Sequence, residues 1–299
     1  MAYTEAQARA IIADMLRQGE AEAGELLEMR RSPLSDLAAI LADAVSGVPT
    51  ADALRALTAD APLLPLAEYR MPHDASPTYR PVLTAALASL SSLDRASLAG
   101  ALVAHLTARG TAPDADTLLA CHRLPGRCAY LRNPLSDEAF DRFSSELDAP
   151  TSLFVGDMEE ACEAVTLGEA DYCILPLTAS DGRRADSVLA MAHAHRLTIA
   201  SVCGFLDGED APVRFALFGL VPRGGLAGEA SLSLSFAELA ESALAALIGA
   251  AACFGTAVTR VYLDGRAELT LHGGDMTAYL VYLCLFAPDF RVDGYYTEQ

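Results

Sequence analysis

The stretch SLFVGDMEEACEAVTLGEADYCILPL, residues 152–177, decides the fold class of this chain. Ser152–Val155 reads as a strand, and Asp157 stands where a helix would begin, its carboxylate able to accept from the free amides of the first turn. Asp157–Leu167 then carries apolar residues at three-to-four spacing, the period of a helix with one buried face. A short Gly-Glu-Ala-Asp turn leads into Asp171–Leu175, an apolar run of the length of a buried strand that ends at Leu-Pro. Strand, helix and strand in this order predict a largely parallel sheet with helices on its faces.

The alternation continues on both sides of this stretch. Cys128–Leu131 reads as a strand, Ser136–Leu147 as a helix that Ser136 can cap, Ala185–His195 as a helix, and Leu197–Val202 and Val213–Val221 as strands. Residues 126–221 are therefore expected to form one α/β unit. Past the PRGGLAG joint, residues 222–228, the pattern restarts. Strand Ser231–Phe236, helix Ala237–Phe254, strand Ala257–Leu263, a turn at Asp264-Gly265, strand Ala267–Leu271, a helix from Asp275 to Phe286 and strand Phe290–Tyr296 follow. This is βαββαβ, the ferredoxin-like order, over residues 229–299. Residues 1–125 read as all helical, in the segments Thr4–Arg17, Glu20–Arg31, Pro33–Val45, Ala51–Thr58, Tyr79–Leu90 and Leu93–Arg109. Pro62–Pro77 is the least regular part and reads as a loop or linker. The expected fold class is multi-domain α/β: an all-α unit, a single α/β lobe and a ferredoxin-like unit.

Composition excludes several chemistries. The net charge of −19 opposes nucleic-acid binding, which needs a basic surface. All 21 basic residues are Arg, so the chain has neither a Schiff-base lysine for pyridoxal phosphate nor a P-loop lysine. Arg suits bidentate recognition of carboxylates, which leaves a small organic acid or amino acid as a reasonable ligand. The longest apolar run, Ala243–Phe254, has 12 residues, short of the roughly 20 that cross a bilayer. The start, MAYTEAQARA, lacks the pattern of a signal peptide, and seven cysteines without a CxxC pair fit reduced thiols. The expectation is a soluble cytoplasmic protein with no cofactor and no membrane contact. No metal site is expected either: His193 and His195, two apart on a helix, read as solvated, and Cys121, His122 and Cys128 lack a nearby fourth ligand. A Ser-His-Asp set is defined by geometry and cannot be nominated from sequence.

Two parts of the chain together resemble prephenate dehydratase. In the α/β unit, CAYLRNPLSDEAFDRF is similar to the family's opening strand, turn and helix, the 152–177 phrase follows in the family's order, and VRFALFGL, residues 213–220, stands in place of its Thr-Arg-Phe strand. The 229–299 unit resembles an ACT domain, with Ser242-Ala243-Leu244 where the family has Gly-Ala-Leu and FRVDGYY similar to its closing strand. The resemblance implies a place in phenylalanine biosynthesis and a substrate cleft bounded by the loop after Leu-Pro and by Arg214. It also shows departures. Thr178-Ala179-Ser180 replaces the family's Glu-Asn-Ser or Thr, and Val213 replaces the threonine implicated in dehydration. Only 32 residues, Asp181–Pro212, stand where the family inserts a whole second lobe. Asp264-Gly265 falls where these ACT domains carry the Glu-Ser-Arg-Pro segment linked to phenylalanine.

These departures imply a degenerate dehydratase, a lobe without its second wall, acting as a small-molecule-binding or regulatory protein. The alternatives are an active prephenate dehydratase forming phenylpyruvate, water and CO2, and a non-enzymatic protein–protein interaction module. Candidate ligand-binding residues are Ser136, Thr178, Ser180 and Arg214. Arg214 has two readings, a carboxylate ligand or an ion pair with Asp171 or Asp210. Ser242, Ala243, Leu244, Tyr262 and Asp264 are the candidates for an effector site or dimer interface of the ACT-like unit. The helix Ala237–Phe254 is apolar nearly all round, so a homodimer formed mainly through this unit is expected to cover it, the competing cover being the chain's own N-terminal helices.

Overall fold

The computed structural model describes residues 33–45, 47–58, 87, 89–122, 125–178, 184–207, 211–226, 229–237, 239–263, 267–287 and 289–298. The helices expected at Thr4–Arg17 and Glu20–Arg31, the loop Pro62–Pro77 and nearly all of Tyr79–Leu90 lie outside them. The described chain is a mixed α/β protein. Its helices are α1 (33–44), α2 (Ala51–Thr58), α3 (Ser92–Ala108), α4 (Ala115–Leu118), α5 (Pro134–Ser144), α6 (Met158–Thr166), α7 (Asp186–Ala194), α8 (Glu241–Cys253) and α9 (Met276–Phe286). The strands are β1 (Pro125–Leu131), β2 (Asp148–Val155), β3 (Tyr172–Pro176), β4 (Thr198–Asp207), β5 (Ala211–Gly219), β6 (Ser231–Phe236), β7 (Ala257–Leu263), β8 (Ala267–His272) and β9 (Phe290–Tyr296).

All nine strands belong to one sheet, ordered β2-β1-β3-β5-β4-β9-β6-β8-β7. In its first half β1 runs parallel to β2 and β3, as the quoted stretch predicts. β5, however, lies antiparallel to both β3 and β4, so this half is mixed rather than largely parallel. The reason is chain length: β4 ends at Asp207 and β5 starts at Ala211, too close in sequence for a parallel pair, which needs a crossover of roughly a dozen residues or more. The second half, β9-β6-β8-β7, is antiparallel throughout and has the βαββαβ connectivity expected of residues 229–299.

Caps explain where several helices begin. Asp157 accepts from the Glu160 amide at 2.8 Å, as expected, and Asp275 accepts from that of Ala278 at 2.9 Å. For α5 the cap is Asn133, not Ser136. Its side-chain carbonyl accepts from the amides of Leu135 and Ser136, and Pro134 occupies the first helical position, where no donor is needed. Ser136 is instead buried, and its hydroxyl accepts from Asn133 Nδ2 at 2.9 Å.

The first half is a three-layer sandwich. Helix α5 covers one face through Phe143 and Ala139, packed near Tyr130, Ile174 and Leu217. Helices α6 and α7 cover the other through Cys162, Val165, Val188 and Leu189. The second half differs. One face, carrying Leu232, Leu234, Leu269 and Leu271, packs into a core with α8, α9 and the helices α1–α4. The helix surrounded on every side is α9, where Tyr279–Leu285 is buried throughout between the sheet and α2 and α3.

Helix α8 is only half covered. Leu247, Ala250 and Ala251 join Leu98, Ala99 and Leu102 of α3 in the core. After Glu241, its exposed residues are Ser242, Ala245, Gly249, Ala252 and Cys253, all small. The chain's own helix α3 thus supplies part of the cover this helix needs, and the outer row stays open. Ala243 and Leu244 are half-buried at the start of α8. Among the described residues no helix is long and apolar enough to cross a membrane.

The two halves of the sheet are joined through one strand pair. β4 and β9 run parallel and pair at Ile199 and Gly294, extended by a bridge between Val202 and Glu298. A Cβ at position 294 would lie 2.8 Å from Ile199 Cβ and 3.0 Å from the Tyr296 ring, so only glycine permits the pairing. Gly294→Ala is expected to cost about 1–3 kcal/mol, the usual range for overpacking a buried contact. Urea denaturation of the variant against the unsubstituted chain measures it.

Candidate functional site

The strand residues that do not face the helices follow a different chemical pattern. In SLSLSF and AELTLH every second side chain is polar. Because strand side chains alternate between faces, the leucines enter the helical core while Ser231, Ser233, Glu268, Thr270 and His272 share the opposite face. That face meets the edge of the α/β lobe, and between them lies a cavity of about 590 Å³. Its floor is this polar sheet face, with Tyr296 beside it. Its walls come from the lobe: Leu177 and Thr178 after β3, Arg184 before α7, Leu189 and His193 on α7, and Arg214 on β5.

The ferredoxin-like unit thus walls the cavity on the side facing Thr178 and Arg214 of the lobe. Thr178 and Arg214, nominated from sequence, come together here: Thr178 Oγ1 accepts from the Arg214 backbone N–H at 2.9 Å. Ser136 is remote from the cavity, under the start of α5. Ser180 and Asp264 lie outside the described residues, as does the side chain of Tyr262. Ser242, Ala243 and Leu244 sit on the helix side of the C-terminal sheet and do not line the cavity.

The charged groups are paired across elements. Arg214 Nη2 lies 2.7 Å from Glu298 Oε1, on the C-terminal tail. Its partner is thus neither of the two acids considered from sequence: Asp171 accepts instead from the Arg127 amide at 3.0 Å, and Asp210 lies outside the described residues. Arg184 contacts Glu268 at 2.6 Å and Asp186 at 3.1 Å, tying the lobe to the cavity floor. His193 is buried rather than solvated, with Nε2 3.5 Å from Asp293 Oδ1. Arg291 completes the cluster, its Nε 3.3 Å from Asp293 and its Nη1 donating to the His193 carbonyl. These contacts hold α7 against β9.

Arg184, Arg214 and Arg260 balance Glu268, Asp293 and Glu298 around the cavity. In a chain carrying −19 this neutral lining matters, since the cavity does not repel an anion as the acidic surface does. Arg260 is exposed on β7 and forms no ion pair with the described residues, which leaves its charge available. No thiol lines the cavity. Burial pushes Cys128 up to about 12 and Cys203 and Cys284 up to about 11, which keeps them as inert thiols at neutral pH. No group of His, Cys, Asp and Glu side chains among the described residues is arranged to hold a metal.

Sequence reasoning missed Arg184, His193, Ser231, Ser233, Thr270, His272 and Glu298. The signal available for most of them was the alternation of hydroxyls with leucine in SLSLSF and AELTLH. A polar stripe of small side chains on a strand marks a face turned to water or to a ligand. Because the Arg214–Glu298 pair is a third to a half exposed, solvent screening holds its worth to at most about 1 kcal/mol. Glu298→Gln is expected to shift the urea midpoint by no more than that energy allows.

No protein-family model and no curated protein matches the chain. Among solved structures, it is similar to prephenate dehydratase from Streptococcus mutans, at 16% identity over 58% of this chain and 98% of that one, with a TM-score of 0.45. It is similar to GqqA, described as a novel type of quorum quenching acylase, at 20% identity over 58% and 95%, TM-score 0.43. It is also similar to prephenate dehydratase from Arthrobacter aurescens in complex with L-Phe, at 14% identity over 57% and 89%, TM-score 0.44.

Proposed function

We propose that this chain is a prephenate dehydratase-like protein, linked to aromatic amino-acid metabolism, whose dehydration site is degenerate and whose cavity binds a small organic acid in a regulatory role. The observation that carries the binding reading is the cavity itself, in which Arg214 and Thr178 from the lobe face the polar floor of the C-terminal unit. A carboxylate fits the Arg214 end, where Glu298 already places one 2.7 Å from the guanidinium. Hydroxyl or keto groups fit the floor, where Ser231, Ser233 and Thr270 supply donors and acceptors.

The degenerate reading rests on side chains. At the strand that carries Arg214, Val213 has no hydroxyl to offer. After Pro176-Leu177 the loop reads Thr178-Ala179-Ser180, without the family's acid. One observation favours the active alternative, the wall supplied by the ferredoxin-like unit, since a closed site is what dehydration with loss of CO2 needs. A wall without the family's dehydrating groups orients a ligand but does not carry out that dehydration.

Two measurements test this. The purified protein is expected to form no phenylpyruvate from prephenate above the spontaneous rate; turnover that is lost in Arg214→Ala would contradict degeneracy. Calorimetric titration with phenylpyruvate is expected to show one site per chain. Arg214→Ala should weaken it about 10- to 100-fold, the equivalent of one charged hydrogen bond of roughly 1.5–3 kcal/mol. Affinity unchanged by that substitution would place the ligand elsewhere.

A further inference from the structure

Ser231 and His272 meet on the cavity floor, and Glu229 lies beside the imidazole ring. Ser231 and His272 are register partners on β6 and β8, with Ser231 Oγ 3.0 Å from His272 Nδ1. On the other side of the ring, Glu229 Oε2 is 3.2 Å from His272 Nε2. A carboxylate can only accept, so Nε2 carries its hydrogen toward Glu229, and Nδ1 of the neutral ring turns a lone pair to the Ser231 hydroxyl. This is the polarity that a serine nucleophile requires: a base on the hydroxyl, and a carboxylate that holds the base in the right tautomer.

The plain alternative is a cross-strand Ser–His contact that decorates the sheet. Two observations separate the cases. Both Ser231 and His272 line the cavity. The backbone also ties the neighbours of His272 and Glu229 together: Gly273, next to His272 and in the left-handed region at φ +65°, donates to the carbonyl of Ala230, next to Glu229, at 3.2 Å. A second Ser–His contact shows what is missing elsewhere. Ser35 Oγ is 3.1 Å from His105 Nε2, but among the described residues no carboxylate pairs with His105, and neither residue lines the cavity.

We propose that Ser231, His272 and Glu229 form a nucleophile relay that hydrolyses small esters bearing a carboxylate. Ser231 Oγ attacks the acyl carbon as its proton passes to His272 Nδ1. The ester C–O bond breaks, and His272 returns the proton to the leaving alcohol. Water, losing a proton to the same nitrogen, then attacks the acyl-serine and releases the acid, and the proton goes back to Ser231. Glu229 is a positioning residue. Its side chain is 78% exposed, so screening limits its effect. The preference for a carboxylate-bearing ester rests on the reading of Arg214 given above; the relay itself does not.

The test is reaction of the full-length protein with a small neutral fluorophosphonate, followed by peptide mapping, which needs no variant. Label is expected on Ser231 in the native chain and not in the urea-unfolded chain. Hydrolysis of 4-nitrophenyl acetate should fall at least about 100-fold in Ser231→Ala and in His272→Asn. Glu229→Gln should lower kcat about 3- to 10-fold with KM unchanged. Absence of label on Ser231, equal labelling after unfolding, or hydrolysis undiminished in Ser231→Ala would overturn the relay. The 4-nitrophenyl half-ester of succinate should be preferred over the acetate, and Arg214→Ala should abolish that preference. Labelling of Ser231 without any such preference would overturn the role given to Arg214 and keep the relay.

Discussion

The pairing of β4 with β9 is the contact on which the rest of this architecture depends. It is short, centred on Ile199 and Gly294, and possible only because Gly294 has no side chain to meet Ile199 and Tyr296. Through it a mixed α/β half and an antiparallel half become one nine-stranded sheet. Around the junction, Arg184–Glu268, Arg214–Glu298 and His193–Asp293 each join the lobe to the C-terminal segment. Buried or half-buried ion pairs of this kind are weak sources of stability, but they discriminate between relative orientations of the parts they join. The cavity exists because that orientation is held.

The two faces of the C-terminal sheet have been given different tasks by a pattern of period two. Leucines on one face seal against α8, α9 and the N-terminal helices. Small hydroxyl side chains, a histidine and an acid on the other stay accessible to the cavity. The N-terminal helices thus act on the site indirectly. By burying the outer side of α9 and the inner side of α8, they leave the polar face as the surface of the unit free to receive a ligand.

Much of this architecture was legible in the chain. The strands Ser231–Phe236, Ala257–Leu263 and Phe290–Tyr296 and the helix Ala51–Thr58 fall where the patterns place them, because alternation and three-to-four spacing were strong and the flanking turns clear. The antiparallel β5 was not legible, since strand direction depends on which neighbours pair. The cap of α5 was missed because Ser136 looked like a cap while Asn133, followed by proline, is a better one. The cavity was half legible. Arg214 and Thr178 were found through a resemblance, whereas Glu298, His193 and the serines belong to it only through the β4–β9 contact. That contact joins residues nearly 100 apart in the chain, and it announces itself in sequence only as a glycine inside a strand.

The central claim is that joining the lobe to the ferredoxin-like unit creates a site for a small anionic ligand. A crystal structure of the protein grown with phenylpyruvate tests it most directly. The account predicts the ligand in the cavity, with its carboxylate at Arg214 in place of Glu298. A ligand bound on the helix side of the C-terminal sheet, near Ser242 and Leu244, with the cavity empty, would contradict it.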